Sequence, residues 1–364
     1  MAEWFDGERA LADIHRICEF GPRPTGSPAL EATRQFIAER LRSLGLSVEL
    51  QKFTFSPNSK PGQVVNGVNV IASFQPDLTS RILFGTHYDT RPIADRETTP
   101  EERGMPILGA NDGGSGVAVF LELARVVAAN KLLGEPLGFD FVFFDAEEYV
   151  FDPDEDDLIV GSAHFAASLG SKADDYLRAV VVDIVARDGA IYTPDSFTWE
   201  LATREALGLH EAGKRAGGNF EADVLFQVID DHVPLLDAGI PTALLIDVND
   251  PRWHTLEDKP EYCSAKALDM IGRTLLDWVL SGVTNQDAPE HVGIKVALQR
   301  GCSKSEFEEM RCPVCGSELD IAVHPDRHRF HVICVKDNSH LSMHATAIKP
   351  PAWFDEKIRS LGWY

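Results

Sequence analysis

Two histidines and several acids stand at the ends of apolar segments in this chain. They fall in five short stretches: Thr86-His87-Tyr88-Asp89, Gly109-Ala110-Asn111-Asp112-Gly113, Asp145-Ala146-Glu147-Glu148, Val182-Asp183-Ile184 and Trp253-His254-Thr255. Imidazoles and carboxylates brought together form the donor set that borderline cations such as zinc prefer. Where one glutamate holds a metal, an adjacent one can serve as general base, so the Glu147-Glu148 pair suits metal-assisted chemistry. On a loop, two neighbouring glutamates can face different partners, and burial raises the pKa of the one that meets no cation. Asp112 lies in a glycine-rich turn before a helix, where it can cap that helix, approach a ligand, or do both. Asp89, two residues beyond His87, is placed to orient that imidazole. Trp253 is either a wall for a substrate side chain or a core aromatic.

These residues need a frame. Residues 7–45 read as two helices around a turn-rich insert, the second with Ile37, Leu41 and Leu44 on one face and Gly45 as its C-cap. Strands are expected at 47–55, 68–74 and 81–85, a helix at 113–133, buried strands at 139–144 and 179–182, helices at 161–170, 199–216 and 264–281, and a strand at 242–246. Alternating strands and helices predict an α/β fold, a mostly parallel sheet covered by helices on both sides. Ligands in such folds bind beyond the carboxyl ends of the strands. His87, Asp89, Glu147, Glu148, Asp183 and His254 all follow strand ends, so four ends deliver donors to one rim. The acidic segment 152–157 reads as a solvated turn.

At 364 residues, 44% apolar and 25% charged, the chain suits one large globular domain with a small appendage. Its net charge of −23 argues against nucleic-acid binding and is compatible with a substrate carrying a free amino group. The N-terminus has no signal-peptide pattern, and no apolar run is long enough to span a membrane. Four of six cysteines (Cys302, Cys312, Cys315 and Cys334) cluster near the C-terminus, while Cys18 and Cys263 stand apart. This is no disulfide framework, and a cytoplasmic location is expected.

Together the motifs resemble the M28 zinc-peptidase superfamily, which holds both aminopeptidases and glutaminyl-peptide cyclotransferases, over about residues 5–282. The resemblance implies a three-layer αβα, zinc-exopeptidase-like fold with a mixed, mostly parallel sheet. It implies that Asp112, Glu148 and His254 hold a catalytic zinc, that Glu147 is the general acid/base, and that His87 and Asp183 hold a second metal in the peptidase branch. Ile229-Asp230-Asp231-His232-Val233-Pro234 and Trp253-His254-Thr255 look like elements of the cyclase branch, as does the spacing from Glu148 to Gly161-Ser162. By that likeness Asp183 and Asp230 join Glu147 in a catalytic hydrogen-bond network, and His232 and Trp253 contact substrate. One departure stands out: where cyclases carry a tryptophan after the Glu-Glu pair, this chain has Pro153, with Phe151 the nearest aromatic. The implied activity is cyclisation of an N-terminal glutamine to pyroglutamate with loss of ammonia. The alternatives are hydrolysis of N-terminal residues by an aminopeptidase, or an inactive relative that binds partners through its tail.

The tail changes character. Residues 284–301 read as a linker between a catalytic domain at 1–283 and a small module at 302–364. Cys312-Pro313-Val314-Cys315-Gly316 followed by Cys334 is zinc-ribbon-like, a second, structural zinc site. His340 is the first candidate for its fourth ligand, with His331 and His344 behind it.

Overall fold

The computed structural model describes residues 4–58, 60–130, 137–151, 157–221, 226–281, 294, 297–298, 301–312, 315–323, 329–336, 342–346 and 351–360. Helix α1 (Gly7–Cys18) opens on Asp6, whose carboxylate accepts the N–H groups of Glu8 and Arg9. Helix α2 (Pro28–Ser43) opens on Ser27, buries Ile37 and Leu41, and ends at Gly45 with φ of +85°. That positive φ is the expected glycine stop.

Six strands follow: β1 (Ser47–Phe55), β2 (Val65–Phe74), β3 (Arg81–His87), β4 (Gly138–Phe144), β5 (Tyr176–Asp183) and β6 (Thr242–Ile246). They form one sheet in the order β1-β2-β4-β3-β5-β6. β1, β2 and β4 pair antiparallel, whereas β4, β3, β5 and β6 run parallel. The sheet is therefore mixed and mostly parallel, as expected. Every residue of β3, β4 and β6 is buried, because helices cover both faces. Alternate residues feed two cores. Phe84, Phe141, Phe143 and Val182 pack with α1, α2, α3 (Gly114–Asn130) and α7 (Ala265–Ser281). Leu83, Val142, Phe144 and Val181 pack with α4 (Val160–Leu169) and α6 (His232–Asp237). Phe84 and Phe141 stack with centroids 5.1 Å apart. Truncating either to alanine would cost roughly 3–5 kcal/mol.

Several boundaries move. β2 begins three residues earlier than expected, and β3 runs to His87, so this imidazole belongs to the strand itself. The single helix expected at 199–216 is two, Ser196–Leu201 and α5 (Thr203–Arg215), parted at Ala202 with φ −143° and ψ 42°. Asp195 caps the first by accepting Thr198 N–H, a signal that a continuous apolar pattern hides. The end of the helix expected to reach 133, and nearly all of the acidic segment with Pro153, lie outside the described residues.

The C-terminal segment has its own core of Ile294, Leu298, Phe307, Ile321, Val332, Cys334 and Phe354. Three antiparallel strands, β7 (Leu319–Val323), β8 (Arg329–Cys334) and β9 (Ser342–Thr346), lie with α8 (Lys304–Glu309) and α9 (Phe354–Ser360). Ser303 and Glu306 form a reciprocal capping box at the start of α8. Ile294 and Leu298, expected in the linker, pack in this core because their spacing puts both on one helical face. Among the described helices, none is long and apolar enough to cross a membrane.

Candidate active site

The strand ends deliver their donors to one rim. His87 closes β3, Asp183 closes β5, Glu147 and Glu148 follow β4, and His254 follows β6. Asp112 arrives on the turn before α3. Gly113 there has φ +70°, and a Cβ on it would lie 2.8 Å from the His87 ring. A Cβ on Gly116 would meet Thr86 Oγ1 at 2.0 Å and Val182 O at 2.7 Å. Glycine is thus needed so that the start of α3 can press against the ends of β3 and β5.

Asp112 lies between the two imidazoles. His87 Nε2 is 3.2 Å from its Oδ1 and His254 Nε2 is 3.7 Å from its Oδ2. His87 Nε2 also meets Asp183 Oδ1 at 3.1 Å, and His254 Nε2 meets Glu148 Oε1 at 3.0 Å. Three overlapping trios result, Asp112–Glu148–His254, His87–Asp112–Asp183 and His87–Glu147–Glu148, each with donor atoms within 4.8 Å of one another. Asp112 Oδ2 is buried without a hydrogen-bond partner among the described residues. A buried anion with an orphaned lone pair, ringed by nitrogen and oxygen donors, is the environment a divalent cation satisfies. Asp112 therefore faces the imidazoles and does not cap α3.

The adjacent glutamates have different surroundings. Glu148 accepts the N–H of Arg91 at 3.0 Å and its Nε–H at 2.9 Å. Burial opposes its ionisation, but Arg91 and His254 outweigh burial and hold its carboxyl well below the usual range. Glu147 is buried, and its carboxylate accepts no hydrogen bond among the described residues. Burial, reinforced by Glu148, Asp231 and Asp230, pushes its pKa well above the ordinary value. Burial and Asp183 likewise raise Asp230 to about 7, while burial and Glu148 raise Asp112 to about 6. For His254, burial is outweighed by Glu148 and Asp95, giving about 9.

Three expectations need correction. Asp89 does not hydrogen-bond His87: the nearest approach, to Nδ1, is 3.6 Å, beyond hydrogen-bond length. Asp89 instead accepts the backbone N–H groups of Glu147 at 3.2 Å and Glu148 at 3.1 Å, so it shapes the Glu-Glu turn. Asp230 acts on Glu147 electrostatically, but neither Asp183 nor Asp230 hydrogen-bonds it among the described residues. Asp230 Oδ1 accepts the N–H of Asp231 at 2.5 Å, and Asp183 Oδ1 faces His87. His232 is fully buried, with Nε2 3.0 Å from Asp195 Oδ1. Such a ring offers no surface to a substrate; it anchors the loop that carries Asp230. Trp253 is partly buried, its ring centroid 4.4 Å from that of His254.

Other contributors were not singled out from sequence. Asp95 Oδ1 lies 3.2 Å from His254 Nδ1, within ion-pair distance of that ring. Asp258 accepts the N–H groups of Asn111 at 2.7 Å and Asp112 at 3.1 Å. Asp231, fully buried, has both carboxylate oxygens unpartnered among the described residues. Arg91 and Asp95 follow the His87–Asp89 stretch closely, and Asp258 comes four residues after His254; proximity along the chain was the available signal. Backbone strain collects here too. Ala146, Ile184 and His254 have φ of 59°, 48° and 59°, a left-handed conformation that costs non-glycine residues about 1–3 kcal/mol each.

In the C-terminal core, Cys312, Cys315 and Cys334 bring their sulfurs within 4.8 Å of one another. Cys315 and Cys334 are 3.6 Å apart. That is too long for a disulfide and close to the roughly 3.8 Å separating two thiolates on one tetrahedral zinc. His340 lies outside the described residues; His331 and His344 pair across β8 and β9.

An α/β sheet with this rim of donors defines a zinc-exopeptidase-type hydrolase or transferase fold. The chain belongs to peptidase family M28, whose family model matches residues 69–279. A glutaminyl cyclase from Fimbriiglobus ruber superposes with a TM-score of 0.72 at 33% identity, over 77% of this chain and 96% of that one. A leucine aminopeptidase precursor from Bacteroides thetaiotaomicron gives 0.69 at 27% identity, over 77% and 98%. The glutaminyl-peptide cyclotransferase of Boiga irregularis is 27% identical over 299 residues, covering 74% of this chain and 79% of its own. Family and site together make the chain an enzyme.

Proposed function

We propose that this enzyme is a zinc-dependent glutaminyl-peptide cyclotransferase, acting on peptides with a free N-terminal glutamine. The observation that carries the reading is Glu147: a buried carboxylate with no hydrogen bond among the described residues, beside the Asp112–Glu148–His254 trio and the Asp230-Asp231 pair. Zinc held by Asp112, Glu148 and His254 would supply Lewis acidity toward a carbonyl oxygen. Glu147 does the proton work. It takes a proton from the α-amine as the amine nitrogen bonds to the γ-carboxamide carbon. It then returns that proton to the departing nitrogen as the carbon–NH₂ bond breaks, so that ammonia leaves and pyroglutamate remains. A base with a raised pKa suits both halves. Ring closure within one residue needs little beyond orientation, since intramolecular attack carries a high effective molarity. Asp183 and Asp230 keep the surroundings of Glu147 negative, which favours its proton-accepting role. Trp253, beside His254, is proposed to wall the substrate pocket.

The second trio, His87–Asp112–Asp183, favours a further reading, an aminopeptidase with two metals in which Glu147 would deprotonate water. An inactive binding protein acting through its tail is disfavoured by the completeness of these trios. Cys312, Cys315 and Cys334 are proposed to hold a structural zinc, with His340 as fourth ligand, in a module separable from a catalytic domain ending near residue 283. No disulfide joins the described cysteines, which supports a reducing compartment and the cytoplasm.

The test is paired: the zinc-loaded protein is offered a glutaminyl and a leucyl peptide. Ammonia with a pyroglutamyl product from the first supports the cyclotransferase. Free leucine from the second without pyroglutamate from the first replaces it with the aminopeptidase.

A further inference from the structure

Residues 91–97 wrap the site from outside. Arg91 binds Glu148, Asp95 binds the His254 ring, Arg96 N–H donates to His254 O at 3.4 Å, and Glu97 Oε1 accepts the N–H of Leu256 at 2.8 Å. Arg96 is fixed on both sides by its neighbours, yet its side chain is exposed. Its guanidinium lies over Trp253, 4.1 Å from the ring centroid, and Trp253 in turn flanks His254.

The charge at Arg96 differs from those around it. Arg91 pairs with Glu148 and Asp95, and Arg252 with Asp250. Arg96 has no carboxylate within ion-pair distance among the described residues. Stacking holds the guanidinium plane against the indole and leaves its in-plane N–H groups free for a carboxylate, which they fit in bidentate fashion. The two ring contacts place it within about 9 Å of the His254 ring, the span of two to three residues of extended chain. A glutamine reacting beside His254 thus puts its following residue within reach of Arg96.

Resting on the cyclotransferase reading, we infer that Arg96 is a specificity-determining residue that selects substrates with a carboxylate directly after the N-terminal glutamine. That carboxylate is either an acidic side chain or the free C-terminus of a dipeptide. Selection must be local, because a net charge of −23 repels acidic peptides at long range and salt screens that repulsion.

The zinc-loaded full chain is assayed for kcat/KM on Gln-Glu-amide, Gln-Ala as free acid, Gln-Ala-amide and Gln-Lys-amide. Both carboxylate-bearing peptides should exceed the lysyl one, by roughly tenfold for an exposed charge pair exchanged for a repulsion. A gain confined to Gln-Glu-amide identifies the side chain as the ligand, and a gain confined to the free acid identifies the terminus; either supports Arg96. In Arg96→Ala the ratio should fall toward one, in Arg96→Glu it should invert, and Arg96→Lys should keep only part of it. Taking ratios within each variant removes any overall loss of activity. Equal rates on all four peptides in the wild type, or a preference unchanged in Arg96→Glu, overturns the inference. If no glutaminyl peptide yields pyroglutamate, the cyclotransferase reading fails separately, and the same ratios are read as leucine release from the matching leucyl peptides.

Discussion

Asp89→Asn should separate the shape of the Glu-Glu turn from its chemistry. In the wild type one carboxylate accepts two buried backbone N–H groups, those of Glu147 and Glu148, and is itself fully buried. Asparagine has the same outline but only one acceptor atom, so one N–H must face the new amide's own N–H₂. Losing a charge-assisted bond and stranding a buried donor together cost about 2–4 kcal/mol. For a domain this large that lowers the melting temperature by about 5–10 °C. The catalytic cost should be of similar size, since displacing Glu148 or Glu147 by 1 Å lowers turnover by about 100-fold, or about 2.7 kcal/mol. Loss of an outer partner should also weaken zinc by about 10- to 100-fold. Calorimetry, a zinc competition titration and a rate measurement on one preparation supply all three numbers. An Asn variant that melts within 1 °C of wild type and keeps its zinc affinity would refute the assignment of Asp89 as the brace of this turn.

Three further outcomes are expected. Glu147→Gln should lose roughly 10²- to 10⁴-fold in turnover with bound zinc unchanged by elemental analysis, because general acid–base catalysis contributes about that much; wild-type turnover would mean another group moves the proton. His210, on α5, has its pKa lowered to about 4 by burial and by Lys214. A base depressed by folding contributes stability above its unfolded pKa of about 6.5 that is lost as pH falls toward 4, by up to about 3 kcal/mol, so denaturant midpoints should drop across that window in wild type and less in His210→Phe. Cys312→Ser should remove one zinc equivalent while turnover at the distant rim persists; an unchanged zinc content would show that the three thiols bind no metal.

Much of the site was legible because each donor abuts a feature with a clear pattern. His87, Glu148 and Asp183 end apolar runs that only a doubly covered parallel strand explains, and Asp112 lies in a turn crowded with glycine. Asp89, Arg91, Asp95 and Asp258 were harder, since their partners are backbone amides and rings brought close by loop conformation, and no periodicity encodes that. His232 misled for a related reason. Likeness to the cyclase branch made it a substrate contact, whereas its buried ring pairs with Asp195, a residue 37 positions away along the chain.

The sheet order has a consequence for how this enzyme can change. His87 and Asp183 close the neighbouring strands β3 and β5, Glu148 follows β4 between them and the edge pair, and His254 follows β6 at the other edge. Adjacent strands stand about 4.8 Å apart because backbone hydrogen bonds set that interval. The sheet thus works as a ruler for the strand ends, while the turns that follow them carry Asp112, Glu148 and His254. Loops can then be exchanged, lengthened or re-charged, moving the chemistry between ring closure and hydrolysis or altering which peptide enters, while the graduations beneath stay where they are.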